Sequence, residues 1–245
     1  MANVLMIVTA ADAIELVDGT SQPTGYWAEE LVVAHRGLRG AGHDVVVATP
    51  GGKPAPVDPG SIDPEQIGDD LSAELTAYLE LIAEELEHPQ VLAEQSVVDY
   101  DAVVLPGGHG PMVDLAIDAD LGLLLAEADA TDVVIAPFCH GPAALTSAIA
   151  PDGTFVFADR LLTVFTDAEE RAGGLGLATP WWVEGRLLEL GAIVESAKPF
   201  ESHVVRDGNL ISGQNPQSSA AVVEEVLDAL DEYEDDDLGE VDEEE

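Results

Sequence analysis

Cysteine occurs once in this chain, at Cys139, and the next residue is His140. A thiol beside an imidazole is a nucleophile beside a base. Residues 133–137, Val-Val-Ile-Ala-Pro, read as a buried strand. Residues 141–145, Gly-Pro-Ala-Ala-Leu, read as a helix start, with Pro142 where a missing N–H costs nothing. The thiol therefore sits in the turn between them, at the carboxyl end of the strand and under the positive end of the helix. That field favours thiolate over thiol. The arrangement is the sulfur counterpart of the nucleophile elbow that hydrolases build around serine. A lone cysteine is more often a small buried hydrophobe; the strand, the turn and the adjacent histidine weigh against that here.

Two further groups could serve such a nucleophile. Gly107-Gly108-His109-Gly110 closes a strand over residues 101–105. Its glycines let successive N–H groups converge on an oxyanion, although a plain glycine turn reads the same way. Glu29 and Glu30 fall in the first turn of a helix that begins at Trp27. An acid there usually offsets the helix dipole, which suits Glu29. Glu30, just before Leu31 on the inward side, could instead face the carboxyl edge of the sheet.

The elements that must position these groups alternate. Residues 4–9 form a strand, the spacing of Leu31, Ala34, Leu38 and Ala41 predicts a helix, and residues 44–49 form a second strand. This makes a right-handed parallel unit. Residues 64–92 carry a helical pattern, and residues 54–96 are read as an inserted helical cap over the site. A helix is expected over 112–128, an extended alternating stretch over 155–165 and a helix over 181–190. A hairpin over Asp207-Gly208 follows, then a last helix over 220–230 capped by Ser218 or Ser219. The result is an α/β fold, a doubly wound and mainly parallel sheet with helices on both faces, occupying residues 1–230 as a single domain. Sites in such sheets lie at the carboxyl ends of strands, where Cys139, Gly107 and the loop before Trp27 all fall.

Composition narrows the partners. The 245 residues include 49 Asp plus Glu against 8 Lys plus Arg, a formal net charge of -41. Nucleic acids and anionic membranes need basic patches, so neither is expected as a partner. Such a surface repels itself in dilute buffer but is screened in concentrated salt, which reads as adaptation to a salt-saturated cytoplasm. One cysteine forms no internal disulfide, and no paired-cysteine zinc pattern exists. The N-terminal stretch has no basic n-region, and no apolar run approaches the ~20 residues of a membrane span. A cytoplasmic protein is expected. Residues 231–245 are almost wholly acidic and read as a disordered, solvated tail.

In order along the chain, Thr24-Gly25-Tyr26-Trp27-Ala28-Glu29-Glu30-Leu31, Ala48-Thr49-Pro50-Gly51-Gly52, Leu105-Pro106-Gly107-Gly108-His109-Gly110, Phe138-Cys139-His140-Gly141-Pro142-Ala143 and Gly213-Gln214-Asn215-Pro216 resemble the ThiJ/PfpI superfamily. They are most similar to its branch of glutathione-independent glyoxalases and heat-shock chaperone homologues, over residues 4–230. The resemblance implies a flavodoxin-like sheet, a reactive Cys139, and an acid from the first helix bonded to its sulfur, which the spacing from Gly25 assigns to Glu30. It also implies that His140 is the histidine and that its acid follows Phe165-Thr166-Asp167 by three residues, at Glu170, with Glu169 adjacent. The distant His and Glu of the related glutamine amidotransferases have no counterpart near the end of this chain.

The resemblance implies a reaction as well. Cys139 adds to the aldehyde of methylglyoxal, Glu30 or His140 moves a proton between the two carbons, and water releases D-lactate. N–H groups of Gly107, Gly108 and His140 would hold the oxyanion, and Glu170 would orient His140. The expected partner is a small dicarbonyl substrate, no metal or organic cofactor is required, and a homodimer is expected. Two other classes share these residues: a stress-response chaperone or redox sensor in which Cys139 is oxidised, and a cysteine hydrolase or protein deglycase.

Overall fold

A computed structural model of the protein describes residues 1–173 and 175–239. The sheet contains β1 (Asn3–Ile7), β2 (Asp44–Thr49), β3 (Gln90–Val91), β4 (Ala102–Leu105), β5 (Val134–Pro137), β6 (Val204–Asp207) and β7 (Leu210–Gly213). Its spatial order is β6-β7-β5-β4-β1-β2-β3, parallel throughout except for the β6–β7 edge hairpin. The flavodoxin-like, doubly wound α/β architecture is therefore present.

Side-chain alternation along the strands divides the core in two. Val4, Met6, Val104 and Ala136 face one layer, where α1 (Ala28–Gly40) packs beside the last helix. Leu5, Ile7, Leu105 and Ile135 face the other, under residues 119–130 and 183–190. Strands buried on both faces explain the near-continuous apolar runs in the sequence.

Several expected elements differ. The 64–92 helix is three pieces: Pro64–Ile67, α2 (Asp69–Leu81) and Ala83–Glu87, broken at Gly68 (φ 88°) and at Ile82. The end of the expected cap also supplies edge strand β3, which pairs with β2. α2 packs through Leu75 on Ala28 and Val32, the outer side of α1. The 112–128 helix starts only at α3 (Ala119–Ala130), because Asp114 and Asp118 turn back to accept from the N–H groups of Leu115 and Leu121. Within 155–165 only Leu161–Leu162 is strand, paired with Ile193–Val194. The alternation there buries Phe155 and Phe157 edge to face in the core instead of forming a pleat.

Two shorter helices, α4 (Asp167–Ala172) and α5 (Val183–Leu190), follow, and Gly191 ends α5 in the left-handed region (φ 100°). α6 (Ser219–Gly239) runs on into the acidic stretch after residue 230. There Arg206 holds Glu232 at 2.6 Å. Residues 240–245 of the expected tail lie outside the described residues. Among the described residues no helix is long and apolar enough to cross a membrane.

Candidate active site

Cys139 occupies the turn after β5 with φ 57°, a left-handed conformation that costs a non-glycine residue about 1–3 kcal/mol. Neighbouring backbone holds it there: its N–H donates to Gly213 O and its carbonyl accepts from Phe165 N–H, both at 2.9 Å. A 3-10 helix, Gly141–Ser147, follows the turn where an α-helix start was expected. The Gly107 loop presses against it from β4. A Cβ on Gly107 would lie 2.6 Å from His140 N, and one on Gly108 (φ 89°) 2.3 Å from Gly25 O. These glycines are required by close approach of three backbones at the sheet's carboxyl edge.

α1 delivers Glu30, fully buried, while Glu29 stays half-buried at the rim. Gly107 N–H donates to Glu30 Oε2 at 2.6 Å. The expected oxyanion role of Gly107 is thereby overturned, since its only donor is committed to the carboxyl. The second oxygen, Oε1, has no hydrogen-bond partner, and the Cys139 thiol acts on the carboxyl as a whole. Burial pushes Glu30 up to about 8 against the opposing pull of the thiol and of Gly107 N–H. Burial also raises the Cys139 thiol, as does the Glu30 charge, while the N–H groups of Gly108 and His140 lower it. The thiolate favoured by a helix field is thus outweighed by desolvation. With a proton on Glu30, the carboxyl can donate to sulfur and its repulsive charge is gone.

His140 completes the line. Its Nδ1 lies 3.3 Å from Cys139 Sγ and its Nε2 2.6 Å from Glu170 Oε1. Burial lowers the His140 pKa, and His109 adds to the effect, so the ring is neutral. The Glu170 contact then assigns the proton to Nε2 and leaves the Nδ1 lone pair facing the thiol. Phe165 stacks on the ring at 4.5 Å between centroids. Burial acts to raise Glu170, but the His140 ring hydrogen-bonded to it and the His109 ring beside it outweigh burial and hold it down at about 2.

Glu169 has a different task. Its Oε2 closes a capping box on Thr166, accepting from the backbone N–H at 2.9 Å and the hydroxyl at 2.8 Å. Its Oε1 accepts from Phe200 N–H and Asn215 Nδ2, both at 2.8 Å. The box fixes α4 so that the next residue, Glu170, faces His140.

Cys139 forms part of the wall of a 200 Å³ cavity with Trp27, His109, His140, Phe165 and Phe200. A 670 Å³ outer chamber shares Trp27 and His109 and adds Gln22, Asp58, Asp63 and Gln66. Of the inserted segment, residues 58–66 reach this chamber, while its helices lie against α1.

The structure thus brings Cys139, His140, Glu30, Glu170, Gly107 and Gly108 together. Sequence reasoning missed the side chain of His109, whose ring centroid is 4.2 Å from that of His140. The signal was present in Gly-Gly-His-Gly, read only for its backbone. The aromatic wall from Trp27, Phe165 and Phe200 carried no comparable signal, because these residues converge from distant segments.

The chain is similar to known proteins along most of its length. It is 31% identical over 230 residues to the Protein/nucleic acid deglycase HchA of Pseudomonas aeruginosa, covering 89% of this chain and 77% of that one. The Staphylococcus aureus protein of the same name is 29% identical, with 93% and 81% covered. Among solved structures, Francisella tularensis Rapid Encystment Protein 24 KDa superposes with a TM-score of 0.82 at 29% identity, covering 94% and 99%. Glyoxalase III from Candida albicans superposes at 0.78 with 23% identity, covering 93% and 97%, and shares the fold. The model of the DJ-1/PfpI family matches residues 23–229, and the chain belongs to that family.

Proposed function

We propose that the protein is a glutathione-independent glyoxalase that converts methylglyoxal to D-lactate at Cys139. The observation that carries this reading is the sulfur itself, set between the Glu30 carboxyl and the His140 imidazole at the wall of a 200 Å³ cavity. That volume is below the ~300–1,000 Å³ of sites for drug-sized ligands and suits a three-carbon dicarbonyl.

The atoms balance as follows. Sulfur adds to the aldehyde carbon as its proton passes to His140, and Glu30 gives its proton to the new alkoxide, leaving a hemithioacetal. A base takes the proton from that carbon, forming an enediol, and the same proton inventory protonates the neighbouring carbon to give a lactoyl thioester. Water cleaves the thioester and returns the thiol. Glu30 can hold and release a proton near neutrality, while neutral His140, oriented by Glu170, accepts one from sulfur. Gly108 and His140 N–H groups, which act on the sulfur, would meet oxygen on the carbon it attacks.

A second reading has support from the HchA relatives named as deglycases and from the wider outer chamber. In it, sulfur takes the carbonyl carbon from a methylglyoxal–amine adduct, the amine leaves, and the same rearrangement yields lactate. Purified protein in concentrated salt, given methylglyoxal without glutathione, should form D-lactate, and Cys139→Ala should abolish it. Turnover that survives in Cys139→Ala would falsify both readings. With preformed adducts, lactate released no faster than the adduct dissociates by itself assigns the activity to the free dicarbonyl.

A further inference from the structure

The acid that orients His140 is shared. His109 Nε2 lies 3.7 Å from Glu170 Oε2, while His140 Nε2 holds Glu170 Oε1 at 2.6 Å. His109 Nε2 is buried and has no hydrogen-bond partner. One donor atom from each of the three residues lies within 4.8 Å of the others. A buried, unsatisfied ring nitrogen beside an ionised carboxylate and a second imidazole is a donor set lacking its acceptor. The geometry points to a transition-metal site formed by His109 Nε2, His140 Nε2 and Glu170, taking a divalent ion of the zinc type that inhibits and does not catalyse.

Two imidazoles and a carboxylate suit zinc, with bonds of about 2.0–2.2 Å and hence ligand atoms about 3.3 Å apart. The two distances to Glu170 bracket that separation, so small shifts of opposite sign would seat the ion. The three residues also border the cavity at Cys139, which leaves the fourth position open to water or substrate. Cys139 faces Nδ1 of His140, the opposite side of the ring, so sulfur is not a ligand of this site. A metal on Nε2 displaces the Nε2–H proton and the hydrogen bond to Glu170. The remaining ring proton is then fixed on Nδ1, and His140 can no longer accept from the thiol. Zinc therefore blocks turnover by occupying the orienting pair.

The test is titration of the full-length protein with zinc chloride in excess magnesium, which saturates surface carboxylates. Expected are a single tight site by calorimetry, binding at least about tenfold weaker in His109→Gln, and unchanged binding in Cys139→Ser. Cobalt replacing zinc reports the ligands in the wild type, without reliance on any variant. Visible d–d bands without a thiolate-to-cobalt charge-transfer band support the site. Binding lost in Cys139→Ser, a sulfur charge-transfer band, or no binding above the magnesium background overturns it. Since these readouts need no substrate, they stand or fall apart from the glyoxalase assay.

Discussion

At the residue scale, one proton and two acidic groups determine how the site responds to pH. Glu30 titrates near 8 in the fold against an ordinary 4.5, so the native state retains a proton that the unfolded chain gives up. The sign follows: relative stability is greatest below about 4.5 and is lost as pH rises through 8. Glu30→Gln removes that dependence, and its melting temperature at pH 8 should exceed that of the wild type. The same variant should lose about 10²-fold or more in kcat, the usual contribution of a positioned acid or base. Glu29→Gln, half-buried at the rim, should keep its activity. In the wild type, kcat/KM should fall above pH 8 as Glu30 loses the proton that quenches the alkoxide. A profile flat to pH 10 would remove Glu30 from this role. Glu170, held at about 2, stays ionised across the whole range and contributes no limb to the profile.

At the element scale, the site depends on a helix of six residues, α4, whose own packing is slight. The Thr166–Glu169 capping box and the Asn215 contact to Glu169 hold that helix, and Glu170 inherits its direction from them. Thr166→Ala should cost about 1 kcal/mol in chemical denaturation. It should also lower kcat more than it raises KM, because it loosens the orientation of His140 and leaves the cavity walls intact. Gly108→Ala tests the loop above it. Its positive φ and the 2.3 Å approach to Gly25 O leave no room for a Cβ, so the variant should lose activity and melt lower.

These elements differ in how well the sequence announces them. Cys139 was legible from its strand and turn, while Glu30 and Glu170 became so only through the family resemblance; the strands were legible because Val, Ile and Leu run unbroken through a sheet buried on both faces. The breaks at Gly68, Ile82 and Asp118 were not, since apolar spacing continues across them while local caps and a positive φ end the helices. The Phe155–Phe157 stretch misled for a related reason: period-two burial arises from two rings entering a core as readily as from a pleat. The commitment of Gly107 N–H to Glu30 joins residues 77 positions apart, and no local pattern records it.

At the scale of the whole molecule, 49 acids against 8 bases surround a conventional apolar core. Repulsion among exposed carboxylates has a screening length of about 10 Å at 0.1 M salt and about 3 Å at 1 M. Thermal denaturation should therefore shift upward as potassium chloride rises from 0.1 M to beyond 1 M, most steeply at the low end. Ion pairs such as Arg206 with Glu232 are weakened by the same salt, but they are too few to reverse the trend. A melting temperature indifferent to salt would mean that the surface charge is balanced in some other way.

The lone sulfur has a practical corollary. Since Cys139 is the only thiol in the chain, alkylation by iodoacetamide adds a single adduct, and intact-mass spectrometry reads site occupancy directly. With only 3% of Cys139 accessible, the labelling rate measures how often the aromatic wall of Trp27, Phe165 and Phe200 parts. Any bound substrate analogue should slow that clock, which makes it a screen for ligands that needs no knowledge of turnover.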